Sequence, residues 1–124
     1  MKKVLVIEDN EDNLRIVTYA LNRDGYQVIS AKDGVEGVNL ALKEHPYFII
    51  MDINLPGVDG LETTRRIRST ETGVTVPIIA VTSYAMTGDR ERILSAGCNG
   101  YIEKPIDPIV FVAQIHGILG EPHR

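Results

Sequence analysis

The chain has 124 residues, of which 44% are hydrophobic and 24% are charged, and its formal net charge is −4. This length and composition fit one ordinary globular domain over residues 1–124. The negative charge argues against direct nucleic-acid binding, and no apolar run approaches the roughly 20 residues of a membrane span. Cys98 is the single cysteine, so no internal disulfide can form, and we expect a reducing, cytoplasmic location.

Strand-like apolar runs and helix-like patterns alternate five times along the chain. In chain order we predict a strand at 3–7, a helix at 11–24, a strand at 27–31, a helix at 33–45, a strand at 47–51, a helix at 59–69, a strand at 77–81, a helix at 89–96, a strand at 100–102 and a helix at 107–119. Side chains that accept hydrogen bonds from first-turn amides mark four of the helix starts. They are Asn10, Asp33, Asp59 and Asp107.

Two of these helices carry informative surface patterns. On the second helix Val35, Val38 and Leu42 share one face, which we expect to pack on the sheet. The fifth helix is apolar almost all round. One of its stripes should pack on the sheet, and the remainder is either a partner or dimer surface or simply a well-covered helix.

The pattern of strands indicates the fold class. The first, third and fourth predicted strands are continuously apolar, which is typical of strands covered by helices on both faces. Alternating strand–helix units with right-handed crossovers build an open, doubly wound α/β sheet of parallel strands. Ligands of such sheets bind beyond the carboxyl ends of the strands. We therefore expect five parallel strands, five helices and a site at one edge of the sheet.

Reactive side chains stand at the carboxyl ends of four predicted strands. They are Glu8 and Asp9 after the first strand, Asp52 after the third, Thr82 after the fourth and Lys104 after the fifth. Two carboxylates about 4 Å apart repel by about 4 kcal/mol at an effective dielectric of 20, so a cluster of three needs a counter-ion or a proton. Any one of these acids is more simply a solvated loop residue. Together, the set predicts a pocket for Mg²⁺ and a phosphoryl group.

Asp52 is the candidate nucleophile of this pocket. A carboxylate forms an acyl phosphate when the attacked phosphorus is held in line and its charge is neutralised. Mg²⁺ and the Lys104 ammonium would neutralise that charge, and the Thr82 hydroxyl can bond a phosphoryl oxygen. Considered alone, Lys104 also fits a surface lysine, and Thr82 fits an ordinary residue at a strand end.

Four segments match a known family in their order and spacing. They are Val-Ile-Glu-Asp-Asn at 6–10, Met-Asp-Ile-Asn-Leu-Pro-Gly-Val-Asp-Gly at 51–60, Val-Thr-Ser-Tyr-Ala-Met at 81–86 and Gly-Tyr-Ile-Glu-Lys-Pro at 100–105. Each segment alone is a weak signal, but together they are highly specific. Over essentially its whole length the chain resembles the receiver domain of two-component response regulators, of the single-domain, chemotaxis-regulator-like kind.

The resemblance implies a flavodoxin-like fold with strand order 2-1-3-4-5. It implies that Asp52 is the phosphoacceptor and takes its phosphoryl group from phosphohistidine on a histidine kinase or a histidine phosphotransfer protein. Asp9 would bind Mg²⁺ directly, Glu8 directly or through water, and the backbone carbonyl of Asn54 would be a further ligand. Lys104 would hold the phosphoryl group, with a cis peptide bond to the following proline helping to aim it.

The resemblance also implies a switch. Phosphorylation would draw the Thr82 hydroxyl inward and move Tyr101 from an exposed to a buried rotamer; the alternative is a half-buried strand tyrosine with no switch role. The affected face, made by the fourth helix, fifth strand and fifth helix, would bind a downstream protein. Asn54 and Tyr84, two positions past Asp52 and Thr82, are expected to tune the acyl-phosphate lifetime, although Tyr84 also fits ordinary loop packing.

The same residues also bear on other possible functions. We expect a stand-alone switch, monomeric or dimerising on phosphorylation, that catalyses only its own phosphorylation and dephosphorylation. The sequence does not exclude a receiver from a hybrid histidine kinase or multidomain regulator. A phosphatase of the haloacid-dehalogenase type would need an aspartate where Asn54 stands. A flavin-binding flavodoxin-like protein would need a phosphate loop after the first strand, where the acidic segment 8–12 would repel phosphate.

Overall fold

The computed structural model describes residues 2–83 and 87–120. Strands and helices alternate through the described residues in the predicted order. The elements are β1 (Lys3–Ile7), α1 (Glu11–Arg23), β2 (Gln27–Ala31), α2 (Gly34–Glu44), β3 (Phe48–Asp52), α3 (Gly60–Arg68), β4 (Ile78–Thr82), α4 (Thr87–Ala96), β5 (Gly100–Glu103) and α5 (Pro108–Leu119). None of these helices has the length and apolar character needed to cross a membrane.

The five strands form one parallel sheet in the order β2-β1-β3-β4-β5. This order confirms the predicted doubly wound, flavodoxin-like α/β fold. The four predicted caps are also confirmed, because the side chains of Asn10, Asp33, Asp59 and Asp107 each accept a hydrogen bond from a first-turn amide. These caps satisfy backbone donors that have no partner inside the helix.

The third and fourth strands begin and end one residue later than predicted, and the fifth is one residue longer. Asp52 and Thr82 are therefore the last residues of their strands and do not follow them. Backbone pairing continues past the apolar run, since the Ile53 amide donates to the Val81 carbonyl at 3.1 Å and the Lys104 amide donates to the Thr82 carbonyl at 2.8 Å. Both site residues are thus fixed by the sheet itself.

Alternate strand residues point to opposite faces of the sheet and form two cores. The core under α2, α3 and α4 takes Leu5, Ile7, Ile49, Met51, Ile78 and Ala80 from the strands. The core under α1 and α5 takes Val4, Val6, Phe48, Ile50, Ile79 and Val81. Burial on both faces explains the unbroken apolar runs at 4–7, 48–51 and 78–81.

The predicted buried face of the second helix is wrong at Val35, whose side chain is 55% exposed. The buried residues of this helix are Gly34, Gly37 and Ala41, and Val38 packs partly buried against the core as predicted. A Cβ atom on Gly37 would lie 2.6 Å from the Ile7 side chain, so the helix approaches β1 too closely for a larger residue. A small residue therefore defines the closest contact with β1, and the predicted face holds at Val38 but not at Val35.

The fifth helix packs one stripe on the sheet, as predicted. Phe111 and Ile115 are buried in the core, whereas Ile109 is 89% exposed. The buried His116 ring places its Nε2 atom 2.9 Å from Oδ2 of Asp24, which caps the carboxyl end of α1. This contact ties α5 to α1.

The half-buried Arg68 side chain joins two loops at the amino-terminal edge of the sheet. Its guanidinium donates hydrogen bonds to the carbonyls of Gly73 and Val76 in the loop before β4. It also donates to the Gly97 carbonyl at 3.0 Å and to Oδ1 of Asn99 at 2.9 Å, in the loop before β5. One charged group therefore holds α3, α4 and the starts of β4 and β5 together.

Replacing Arg68 with methionine is expected to lower the free energy of unfolding by about 2 kcal/mol, because several backbone acceptors lose a charged donor. Arg65→Met is the matched control, since Arg65 is exposed and, within residues 2–83 and 87–120, forms an ion pair with Glu62 alone, at 3.6 Å. Loss of such a surface pair is expected to cost less than about 1 kcal/mol. Urea unfolding followed by circular dichroism measures both, and equal losses would show that Arg68 is not a specific link.

Candidate functional site

The sheet brings the predicted site residues to one edge. Asp52 and Thr82 end the adjacent strands β3 and β4, whereas Glu8, Asp9 and Lys104 directly follow β1 and β5. Because all five strands are parallel, these positions share the carboxyl edge of the sheet. Two strand ends pair in register there, with Asp52 opposite Val81 and Thr82 opposite Glu103.

The three predicted acids form one cluster. One carboxylate oxygen from each of Glu8, Asp9 and Asp52 lies within 4.8 Å of the others. The side chains of Glu8 and Asp52 are buried, at 5% and 3% exposure, whereas Asp9 is exposed. Two acids are therefore held away from water, and the third opens the cluster to solvent.

The Lys104 ammonium lies beside the buried acids. Its Nζ atom is 3.2 Å from Oδ1 of Asp52 and 4.0 Å from Oε1 of Glu8. The lysine side chain is only 18% exposed, so solvent screens these interactions weakly. The peptide bond between Lys104 and Pro105 is cis, as the family resemblance implied.

Backbone amides orient both buried carboxylates. The Asn54 amide donates to Oδ1 of Asp52 at 3.1 Å, and the Asn10 amide donates to Oε2 of Glu8 at 3.2 Å. Each amide comes from the loop that immediately follows the acid, so the turn after the strand fixes the carboxylate's direction. The Asn54 side chain itself is exposed at the mouth of the site.

The cluster carries more negative charge than its surroundings can neutralise. Burial, followed by the hydrogen bond and the negative charge of the nearby Asp52 carboxylate, raises the pKa of Glu8 from 4.5 to about 7. The Asn10 amide and the Lys104 ammonium lower the pKa of Glu8 but do not offset these effects. One ammonium is thus insufficient for two buried acids and an exposed one. A cluster of carboxylate oxygens with excess negative charge is the kind of site that binds a divalent cation such as Mg²⁺.

Thr82 and Tyr101 lie on the neighbouring strands β4 and β5. Thr82 is 1% exposed, whereas Tyr101 on β5 is half-buried and packs partly against the core under α4. The Nε atom of Arg90 donates to the Tyr101 hydroxyl at 2.9 Å, and its guanidinium lies 5.4 Å from the ring centroid. Tyr84 lies outside the described residues, so its predicted role in tuning the acyl-phosphate lifetime stays a prediction.

Sequence reasoning missed Arg90 and Gly60 as neighbours of the site. Arg90 meets Tyr101 across α4 and β5, a contact between segments eleven residues apart that no local motif indicates. Gly60 directly abuts the backbone of Asp52. Its signals were its place after the Asp59 cap and at the end of the family segment 51–60, and neither indicated a contact with the Asp52 backbone.

Comparison with known proteins gives the family. Residues 4–116 match the model of the response regulator receiver domain. The polar-differentiation response regulator DivK of Brucella ovis is 42% identical over 120 residues, covering 97% of this chain and 98% of that protein. The DivK protein of Brucella anthropi is 41% identical over the same coverage.

Solved structures agree with this match. The chemotaxis protein CheY4 of Vibrio cholerae superimposes with a TM-score of 0.90 at 27% identity, covering 95% of this chain and 98% of that one. The receiver domain of a sensor histidine kinase from Pseudomonas aeruginosa, described with magnesium in its active-site cleft, gives 0.87 at 38% identity, with 97% and 98% coverage. The chain belongs to the family of response regulator receiver domains.

Proposed function

We propose that the protein is a phosphorylation-activated switch of a two-component phosphorelay and that Asp52 accepts the phosphoryl group. The observation that carries this proposal is the Asp52 carboxylate, buried at 3% exposure and 3.2 Å from the Lys104 ammonium within the acidic cluster. A buried carboxylate with a fixed cation beside it is poised for reaction at a phosphorus atom whose charge must be neutralised.

The transfer needs little covalent chemistry from the protein. An Asp52 carboxylate oxygen attacks the phosphorus of a phosphohistidine, the phosphorus–nitrogen bond breaks, and its electron pair returns to the imidazole, which takes up a proton from solvent. The Lys104 ammonium neutralises a phosphoryl oxygen, and the Thr82 hydroxyl donates a hydrogen bond to another. The phosphodonor is a histidine kinase or a histidine phosphotransfer protein.

The metal in this proposal is Mg²⁺. Glu8, Asp9 and Asp52 would hold it together with the backbone carbonyl of Asn54, and the magnesium described for the Pseudomonas aeruginosa receiver domain supports that assignment. When bound, the ion supplies positive charge to the phosphoryl oxygens and relieves the repulsion among the acids. The raised pKa of Glu8 is consistent with a site that lacks this charge until the metal arrives.

The output of the proposed switch is a change of surface. Phosphorylation draws Thr82 inward and buries Tyr101, which alters the face formed by α4, β5 and α5. Changing such a face from 1:99 to 99:1 requires about 5.5 kcal/mol of differential stabilisation. A downstream protein would bind the altered face, and the protein would act as a monomer or as a dimer promoted by phosphorylation.

The proposal also includes the extent and location of the domain, its limited catalysis and the lifetime of its acyl phosphate. Residues 1–124 form one receiver domain in the cytoplasm, either alone or as part of a hybrid histidine kinase or larger regulator. Catalysis is limited to the protein's own phosphorylation and dephosphorylation. Asn54, exposed at the mouth of the site, and Tyr84 would tune the lifetime of the acyl phosphate.

Labelling with acetyl phosphate tests this function against that of a phosphatase. In the presence of Mg²⁺, we expect the protein to take up one phosphoryl group per chain and to hydrolyse p-nitrophenyl phosphate no faster than buffer does. The same incubation with EDTA is the control and should leave the protein unlabelled. Sustained turnover of the ester, or labelling that is indifferent to EDTA, would contradict the proposed switch.

A further inference from the structure

The first turn of α3 packs directly against the backbone at the end of β3. Gly60 begins this helix, and its amide donates a hydrogen bond to the Ile53 carbonyl at 3.0 Å. A Cβ atom at position 60 would lie 2.7 Å from Cα of Ile53 and would overlap the carbonyl oxygen of Asp52. A side chain here therefore requires movement either of the helix or of the peptide that joins Asp52 to Ile53.

Hydrogen bonds lock the first turn of the helix. Oδ1 of Asp59 accepts from the Glu62 amide at 2.8 Å. The hydroxyls of Thr63 and Thr64 donate to the carbonyls of Asp59 and Gly60 at 2.7 and 2.8 Å. Both threonines are fully buried, so these bonds are shielded from competing water.

The helix α2 on one flank and the loop before β5 on the other also hold this turn. Thr63 contacts α2 at Gly34, where an added Cβ atom would overlap the threonine hydroxyl. Thr64 lies 3.7 Å from Sγ of Cys98, which precedes β5. Because these contacts restrain α3, we expect the Asp52–Ile53 peptide to take up part of the displacement that a methyl group at position 60 requires, at the expense of the hydrogen bond from the Ile53 amide to the Val81 carbonyl.

We propose that Gly60 is a positioning residue for the Asp52 carboxylate, an inference that rests on the proposed role of Asp52 as phosphoacceptor. Oδ1 of Asp52 receives both the Asn54 amide at 3.1 Å and the Lys104 ammonium at 3.2 Å. Moving the Asp52–Ile53 peptide misaligns both donors at once. The absence of a side chain at position 60 is what keeps the carboxylate aimed at the phosphoryl group.

Gly60→Ala tests the proposal, with Gly73→Ala as the matched control. A Cβ atom on Gly73 would overlap the Ile67 carbonyl and lie 2.6 Å from Oγ1 of Thr70, so the crowding is similar but remote from the site. We expect Gly60→Ala to slow acetyl phosphate labelling at least about 10-fold, since misplacement by 1 Å costs up to about 100-fold. Gly73→Ala should label at the wild-type rate despite a comparable loss of stability.

A second readout separates positioning from general damage. The ¹H–¹⁵N resonance of the Asn54 amide, recorded without metal, should shift in Gly60→Ala and stay unchanged in Gly73→Ala. Unchanged labelling and an unchanged Asn54 resonance in Gly60→Ala would overturn the inference, as would equal slowing in both variants. Wild-type protein that fails to label at Asp52 would instead contradict the proposed function, which keeps the two failures distinguishable.

If Gly60→Ala does not fold, a milder pair of variants tests the same inference. Thr64→Val keeps the side-chain shape but removes the hydrogen bond to the Gly60 carbonyl. Thr70→Val removes an equivalent bond to the Ile67 carbonyl at the other end of α3. Slower labelling and a shifted Asn54 resonance in Thr64→Val alone support the inference, and identical behaviour of the two variants overturns it.

Discussion

Asp52→Asn is expected to reduce acetyl phosphate labelling to the background level, a loss of at least about 100-fold. The asparagine amide keeps the size of the carboxylate and can still accept the Asn54 amide hydrogen bond at 3.1 Å. It lacks the negative oxygen that attacks phosphorus and that pairs with Lys104. The variant should therefore fold and lose the chemistry, which intact-protein mass spectrometry and circular dichroism measure together.

Asp12→Asn is the matched control for this prediction. Asp12 is an exposed acid on the first turn of α1, close to the acidic loop, and its ion pair with Arg15 is long at 3.9 Å. We expect this variant to label like the wild type. Full labelling of Asp52→Asn would show that another acid of the cluster is the phosphoacceptor. The exposed Asp9 would then be the next carboxylate to replace.

The sequence predicted the fold and the site because both depend on local patterns. Unbroken apolar runs identify strands buried on both faces, and side-chain caps identify where the intervening helices begin. The parallel arrangement then brings the ends of four strands together, so acids that are 44 residues apart in sequence, Glu8 and Asp52, could be assigned to one cluster. The sequence did not predict that β3 and β4 end one residue later, because their ends depend on backbone hydrogen bonds between neighbouring strands.

The features that sequence reasoning missed are contacts made by backbone atoms or by the absence of a side chain. Arg68 bonds mainly carbonyl groups, which every residue carries and which leave no pattern in the sequence. Val35 was assigned to the wrong face because close approach of α2 to β1 favours glycine over valine. Gly60 belongs to the same class, since its role follows from what its missing Cβ atom would touch.

Glu8 makes the metal-free protein less stable as the pH rises. The pKa of Glu8 is about 7 in the folded protein against 4.5 for an exposed glutamate, so the folded state binds more protons between these values. Folding stability therefore decreases as the pH increases from about 4.5 to about 7, by up to about 3 kcal/mol. Below this window Glu8 is protonated in both states and contributes no difference.

Glu8→Gln should remove this pH dependence, because glutamine stays neutral while keeping nearly the same shape. Without metal we expect the variant to exceed the wild type's unfolding free energy by less than about 1 kcal/mol at pH 5 and by about 3 kcal/mol at pH 8. Urea unfolding at each pH measures the difference between the two proteins, in which the contributions of all groups other than Glu8 cancel. Glu71→Gln, an exposed acid in the loop before β4, is the control and should parallel the wild type at both pH values.

Adding Mg²⁺ should reverse the order of stability at pH 8. The wild type gains stability from the metal, whereas Glu8→Gln offers the ion one carboxylate fewer and gains less. This reversal is expected only if the Glu8 carboxylate both destabilises the metal-free protein and binds the ion. A wild-type protein whose stability is flat from pH 5 to pH 8 without metal, or that Mg²⁺ does not stabilise, would contradict the link between the buried acid and metal binding.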